Sequence, residues 1–254
     1  MKVLDLFSGI GGFSLGLEKA GMETVAFCEI DPHCSKVLEK HWPRVDNFRD
    51  IKQLTGKYLN GVVDLICGGY PCTGHSVAGQ KKGFKDERSN LWLEYLRLIK
   101  EIKPRYCIIE NSPNLRSTGM GQLLKDVHAV GYNAEWSIIS AYSIGSPHQR
   151  ERLFIVLWRG DVPYCNPFRL WQADPQKKKI SSRWWSERLF KRSPLFKQAS
   201  KIESRVLQFD DGISQELSEN EIKIKMLGNS LLPQIPELIG RALMEHERSL
   251  SCQD

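Results

Sequence analysis

Short apolar runs alternate with longer amphipathic stretches through residues 1–159, and few folds accommodate that alternation. Residues 3–7 read as a strand, and the turn Ser8-Gly9-Ile10-Gly11-Gly12 leads into a helix carried by Phe13, Leu15, Leu17 and Ala20 and closed by Gly21. Residues 24–28 form the next strand, Glu29-Ile30-Asp31-Pro32 ends it, and a helix through Val37 and Leu38 follows. Strands over 62–67, 106–109 and 153–158, with helices over 90–102 and 121–130, continue the pattern. Strands spaced in this way by helices predict an α/β fold, with a mostly parallel sheet and helices on both faces. Ligands of such sheets bind at the carboxyl ends of the strands, so the residues that follow each strand are the candidates for function.

The pattern breaks after Arg159. Pro163, Pro167, Pro175 and Pro194 punctuate a tract containing Trp171, Trp184 and Trp185, and periodicity returns only in a helix over 235–247, preceded by Leu227-Gly228-Asn229-Ser230. The expected organisation is a catalytic and cofactor-binding domain over 1–159, a small basic region over 160–221, and a C-terminal helix within 222–254 that returns to the first domain. Between 176 and 205 lie ten basic and two acidic residues, a surplus larger than the +6 of the whole chain. Two readings of that tract stand: a surface for a polyanion, whose binding would weaken with salt, or a solvated basic loop. The Trp184-Trp185 pair reads as a local apolar anchor for a small domain rather than as a stacking platform.

Composition narrows the setting. No stretch approaches the roughly 18 uninterrupted apolar residues of a membrane span, and Asp5 interrupts the apolar N-terminus, which therefore reads as a strand and not a signal peptide. A cytoplasmic protein without membrane association is expected. The seven cysteines include no CxxC pair, which predicts reduced thiols and neither a disulfide framework nor a metal site. Cys28, Cys34, Cys67 and Cys107 read as small core residues. Cys72 differs, because Gly68-Gly69-Tyr70-Pro71 carries it on a loop directly after a strand.

The residues after the other strands are as distinctive. The glycines of the first turn allow close backbone approach at a helix N-terminus, which suits a nucleotide-like cofactor, although such turns also join strand to helix without a ligand. Glu29 ends the second strand, where a carboxylate can accept hydrogen bonds from ribose hydroxyls, and Ile30 can pack on an adenine face. Asp31 reads as the acid that starts the following helix. Glu110-Asn111-Ser112-Pro113 follows the fourth strand at the same sheet edge. In Gln149-Arg150-Glu151-Arg152, alternation places the two guanidiniums on one side of the last strand, where they want an anionic or polar partner.

Taken in order, DLFSGIGG, Glu29, GGYPC, ENS, QRER and LGNS resemble the DNA cytosine-5 methyltransferase family, in a bacterial or phage form with an unusually short target-recognition region. The resemblance spans residues 1–159 and about 222–247. It implies a Rossmann-like methyltransferase fold and S-adenosylmethionine as cofactor, with S-adenosylhomocysteine as product and no metal. Phe7, Ser8, Gly9, Gly11 and Gly12 would then cradle the methionine part, Glu29 and Ile30 the ribose and adenine, and Asp50 the adenine amino group, with Ile51, Gly69, Pro71, Asn229 and Ser230 completing the pocket. Cys72 would be the nucleophile toward C6 of a flipped-out cytosine, Glu110 the acid near N3, and Arg152 the residue that holds the base, supported by Asn111 and Arg150. Ser76, Lys81, Lys82 and Arg88 would contact duplex DNA. A monomer is expected, associated with a restriction endonuclease system or a phage genome.

Three features depart from the family pattern: Thr73 where a glutamine is usual, Ser112 where a valine is usual, and the short tract over 160–220. Two further readings accompany the main one, a cytosine-5 methyltransferase of transfer RNA and an inactive DNA-binding regulator on the same fold.

Overall fold

The computed structural model describes residues 1–71, 90–144, 150–172 and 231–252. Its elements are β1 (Lys2–Leu6), α1 (Gly12–Lys19), β2 (Glu23–Cys28), α2 (Pro32–His41), β3 (Asp46–Asn47), β4 (Leu65–Gly68), α3 (Asn90–Ile102), β5 (Tyr106–Asn111), α4 (Leu115–Thr118), α5 (Met120–Ala129), β6 (Tyr132–Ser140), β7 (Glu151–Arg159), α6 (Arg169–Gln172) and α7 (Gln234–Ser251). The seven strands form one sheet in the order β3-β2-β1-β4-β5-β7-β6. Pairing is parallel from β3 to β5 and antiparallel where β7 meets β5 and β6.

Side-chain alternation along the central strands fills both faces of the sheet. Leu4, Leu6, Ile66, Cys107, Ile109, Leu153, Ile155 and Leu157 point into one core, and Val3, Leu65, Cys67, Tyr106, Ile108, Phe154, Val156 and Trp158 into the other. Helix α3 covers the first face because Trp92, Tyr95, Leu96, Ile99 and Ile102 recur at helical spacing and are buried together. Each such side chain contributes roughly 1.5–3 kcal/mol relative to exposure. Helices α1 and α7 cover the second face through Phe13, Leu17, Ile235, Ile239 and Leu243. Beyond Arg159, Val162, Cys165 and Phe168 are buried in this same core.

The C-terminal helix is fastened to the sheet by charge as well as by packing. Glu247 Oε1 accepts from Arg105 Nη2 at 3.0 Å and from the Tyr106 hydroxyl at 2.7 Å. The helix runs four residues past the expected end at 247. Strand β6 is absent from the sequence reading even though Tyr132, Ala134, Trp136 and Ile138 alternate with Asn133, Glu135 and Ser137. It forms the sheet edge beside β7, with mixed burial. The late strand is longer than expected and antiparallel, not parallel, to β5. Asp31 caps α2 as expected, its Oδ1 accepting from His33 N at 2.7 Å and Cys34 N at 3.0 Å. Among the described helices, none is long and apolar enough to cross a membrane.

Candidate active site and cofactor cradle

The carboxyl ends of β1, β2, β4 and β5 share one edge of the sheet. After β1 the chain turns through Phe7 (φ 53°), Gly9 (φ 55°) and Gly11 (φ 85°) before α1 begins at Gly12. Phe7 occupies a left-handed conformation that costs a non-glycine residue about 1 kcal/mol or more. The turn is held by Ser8 Oγ donating to Asp5 O at 2.6 Å and by Gly9 N donating to Glu29 Oε2 at 2.7 Å. A Cβ on Gly11 would meet the Trp42 ring at 2.6 Å, and one on Gly12 would meet Leu231 O at 2.8 Å. Clearance at those two positions is used by packing within the protein, whereas nothing lies within 4 Å of a Cβ at Gly9.

Beneath the turn, the Asp5 carboxylate is fully buried and accepts from Ser14 Oγ at 2.7 Å and Ser14 N at 3.3 Å. Burial pushes its pKa up to about 7, against the pull of the bonds from Ser14. Glu29 is buried after β2, its second carboxylate oxygen accepting from Asp31 N at 2.7 Å. Ile30 beside it is 64% exposed. Asp50 lies in the next loop, where its Oδ1 accepts from Lys52 N at 3.0 Å. Ile51, by contrast, is buried in the core, and its carbonyl accepts from Arg97 Nη2 at 2.9 Å.

The open glycine at a helix N-terminus, two carboxylates and an exposed isoleucine are a donor and acceptor set that fits an adenosine group carrying a charged amino-acid tail. Among the described residues, no group of three or more His, Cys, Asp or Glu side chains is placed to hold a metal ion.

At the centre of the edge, β4 and β5 bring Gly69 and Glu110 together. A Cβ on Gly69 would stand 2.5 Å from Glu110 Oε2, so only glycine admits the carboxylate there. Asn111 Nδ2 donates to Tyr70 O at 3.3 Å, tying the loop after β4 to the end of β5. Arg152 Nε lies 2.9 Å from Glu110 Oε1, and Arg150 adds positive charge nearby. Burial raises the Glu110 pKa from its ordinary value, while Arg152 and Arg150 pull it down.

Cys72, Ser76, Lys81, Lys82, Arg88, Asn229 and Ser230, and the basic tract with Trp184 and Trp185, lie outside the described residues. Cys28, Cys34, Cys67, Cys107 and Cys165 are buried and outside any disulfide, and Cys252 is exposed. Two supports of the cradle are missing from the sequence reading. Arg97 bridges Glu94, Glu101 and the 50–54 loop, and Asn47 bridges Glu29 and Arg49. Arg97 carries a partial signal in its i,i−3 and i,i+4 acidic neighbours, but an asparagine in a two-residue strand carries none.

A mostly parallel sheet with a terminal antiparallel pair, and a glycine turn facing acidic loops at its carboxyl edge, define the Rossmann-like methyltransferase class. The chain belongs to the C-5 cytosine-specific DNA methylase family, whose model matches residues 1–205. It is 39% identical over 166 residues to the type II methyltransferase M.Eco47II of Escherichia coli, covering 63% of this chain and 40% of that protein. The type II methyltransferase M.HhaI of Haemophilus parahaemolyticus is 32% identical over 179 residues, covering 67% and 54%. The chain thus spans about half the length of these curated relatives. In fold it also matches the Dnmt2 methyltransferase of S. pombe, with a TM-score of 0.67 at 17% identity over 96% of this chain and 99% of that one.

Proposed function

We propose that this protein methylates C5 of cytosine in duplex DNA, using S-adenosylmethionine and Cys72 as the nucleophile. The observation that carries the proposal is the Glu110 carboxyl, buried against Gly69 with a raised pKa and gripped by Arg152 at the edge where Gly69-Tyr70-Pro71 lead into Cys72. Cytosine C5 is a poor nucleophile until a thiolate adds to C6. Glu110 in its acid form donates its proton to N3 as the Cys72 sulfur bonds to C6, and the electron pair of the C5–C6 double bond becomes available at C5. Arg152 holds Glu110 and the base edge, while Arg150 and Asn111 support the loops around them.

Phe7, Ser8, Gly9, Gly11 and Gly12 shape the cradle for the cofactor's amino-acid end, Glu29 and Ile30 hold its ribose and adenine, and Asp50 the adenine amino group. Gly69, Pro71, Asn229 and Ser230 enclose it, and Ile51 anchors the Asp50 loop from the core behind the pocket. When bound, S-adenosylmethionine supplies an electrophilic methyl group for C5. Loss of the C5 proton to a base, with return of the N3 proton to the Glu110 carboxylate, then expels the Cys72 thiolate and restores the ring. Both faces of the ring are covered within a duplex, so the base must leave the stack. Ser76, Lys81, Lys82 and Arg88 hold the DNA backbone. The protein acts as a cytoplasmic monomer, beside a restriction endonuclease or in protection of a phage genome, and the type II methyltransferase names of its relatives support the first of these roles.

The test is transfer of labelled methyl groups to duplex DNA or to transfer RNA, together with trapping on duplex containing 5-fluorocytosine. Label in DNA and a covalent adduct that is lost in Cys72→Ala are expected. Label in transfer RNA alone overturns the choice of substrate, and an adduct that persists in Cys72→Ala overturns the choice of nucleophile.

A further inference from the structure

The two loops assigned to ribose and adenine meet at a single amide. Asn47 Oδ1 accepts from Glu29 N at 2.9 Å and from Arg49 N at 3.1 Å. Its Nδ2 donates to Glu29 O at 3.2 Å and to Ser35 Oγ at 3.0 Å. Ser35 is itself buried in α2, with its hydroxyl 2.8 Å from Asp31 O. One side chain therefore makes bonds to both backbone groups of Glu29, to the first turn of α2, and to the residue before Asp50.

The chain needs such a brace at this point. Strand β3 is two residues long and pairs only through Asp46 and Asn47, after which Arg49 adopts a left-handed backbone (φ 64°). A non-glycine residue holds that conformation only where its surroundings compel it. Here Arg49 N is fixed by Asn47, Arg49 O lies 3.4 Å from Cys28 Sγ, and Arg49 Nη2 donates to Ile30 O at 3.3 Å. On its far side the same loop is held by Arg97 of α3 at Ile51 O.

We infer that Asn47 is a positioning residue for the cofactor: it locks the spacing between Glu29 and Asp50, so that ribose and purine are recognised together rather than independently. The inference rests on the adenosine-binding reading above. Without the amide, Glu29 and Arg49 lose a shared acceptor, and each loop settles separately. Recognition of the ribose hydroxyls and of the purine 6-amino group should then weaken together, although Asn47 touches neither.

The experiment is titration calorimetry of the 254-residue chain with S-adenosylhomocysteine, an analogue lacking both ribose hydroxyls, and the inosine counterpart lacking the 6-amino group. The wild type should lose affinity for both analogues. In Asn47→Ala, binding of the parent ligand should weaken by roughly tenfold, the magnitude of losing about 1.4 kcal/mol of positioning, and both analogue penalties should shrink. General destabilisation of the fold would not erase those penalties selectively. Asn47→Asp keeps the acceptor for both amides, should give an intermediate loss, and carries the test if the alanine variant does not fold.

Undiminished penalties in folded Asn47 variants, alongside weakened binding in Glu29→Ala, overturn the positioning role and leave the cofactor reading standing. A wild type that shows no analogue penalty overturns the cofactor reading, and this inference with it.

Discussion

Arg152 Nε and Glu110 Oε1 lie 2.9 Å apart on neighbouring antiparallel strands, with Asn111 opposite Leu153 in the register. The direction of β7 is what makes this contact. Were β7 parallel to β5, its first residues would lie at the opposite edge of the sheet from Glu110.

Replacing Arg152 by alanine removes the main electrostatic pull on the Glu110 proton. The Glu110 pKa should rise further above its ordinary value, so the alkaline limb of the pH–rate profile should move to higher pH. Activity at the optimum should fall about 100-fold or more, as expected when a positioned charge-stabilising group is lost. Steady-state rates across pH, compared with Glu110→Gln, would check this. An unmoved limb would detach Arg152 from Glu110.

Gly69→Ala should damage the site while leaving the fold intact. Its Cβ would stand 2.5 Å from Glu110 Oε2, so the carboxylate must shift. Activity should fall at least about 100-fold, on the scale of losing general acid catalysis, with the melting temperature nearly unchanged. Full activity in this variant would mean that the observed Glu110 position is not the working one.

Asp5 should make stability depend on pH. Its folded pKa of about 7 lies above the ordinary value of 3.8, so between those limits the folded protein retains a proton that the unfolded chain has lost. That contribution is fully present below pH 3.8 and is lost as pH rises through about 7. Asp5→Asn should resemble the wild type near pH 4 and be more stable near pH 8, by on the order of 4 kcal/mol before loss of the charged acceptor for Ser14 is counted. Denaturant melts at both values measure the difference. Equal pH slopes for the two proteins would contradict it.

Glu247→Ala should loosen α7 from the sheet, since one carboxylate oxygen serves both Arg105 and the hydroxyl of Tyr106, a fully buried residue. The orphaned hydroxyl costs about 1–3 kcal/mol, which corresponds to a melting temperature lower by roughly 2–10 °C. Glu247→Ala combined with Tyr106→Phe should recover part of the loss. A double variant no more stable than Glu247→Ala would show that the hydroxyl is not the source of the cost.

Much of the sheet was legible because its signals are local. Short apolar runs, the glycine turn after β1 and the Asp31-Pro32 helix start each lie within a few residues of sequence. Strand β6 was not read despite the alternation from Tyr132 to Ile138, because its exposed edge carries polar residues that dilute the apolar pattern. Pairing direction was not legible, because the partners of β7 lie about 10 to 50 residues away and no local feature of Glu151–Arg159 encodes them.

The same division runs through the site. By itself the sequence determined which chemical groups stand at the strand ends: the open turn at Gly9, the acids Glu29, Asp50 and Glu110, and the arginines at the start of β7. Hydrophobic periodicity and turn chemistry act along the chain and can be read along it. Only the tertiary structure decided that Gly11 makes room for Trp42 and Gly12 for Leu231, that Gly69 admits the Glu110 carboxylate, and that one amide of Asn47 joins two loops. Those outcomes depend on which atoms packing brings within about 3 Å of each other, the range in which a hydrogen bond or a steric clash takes effect.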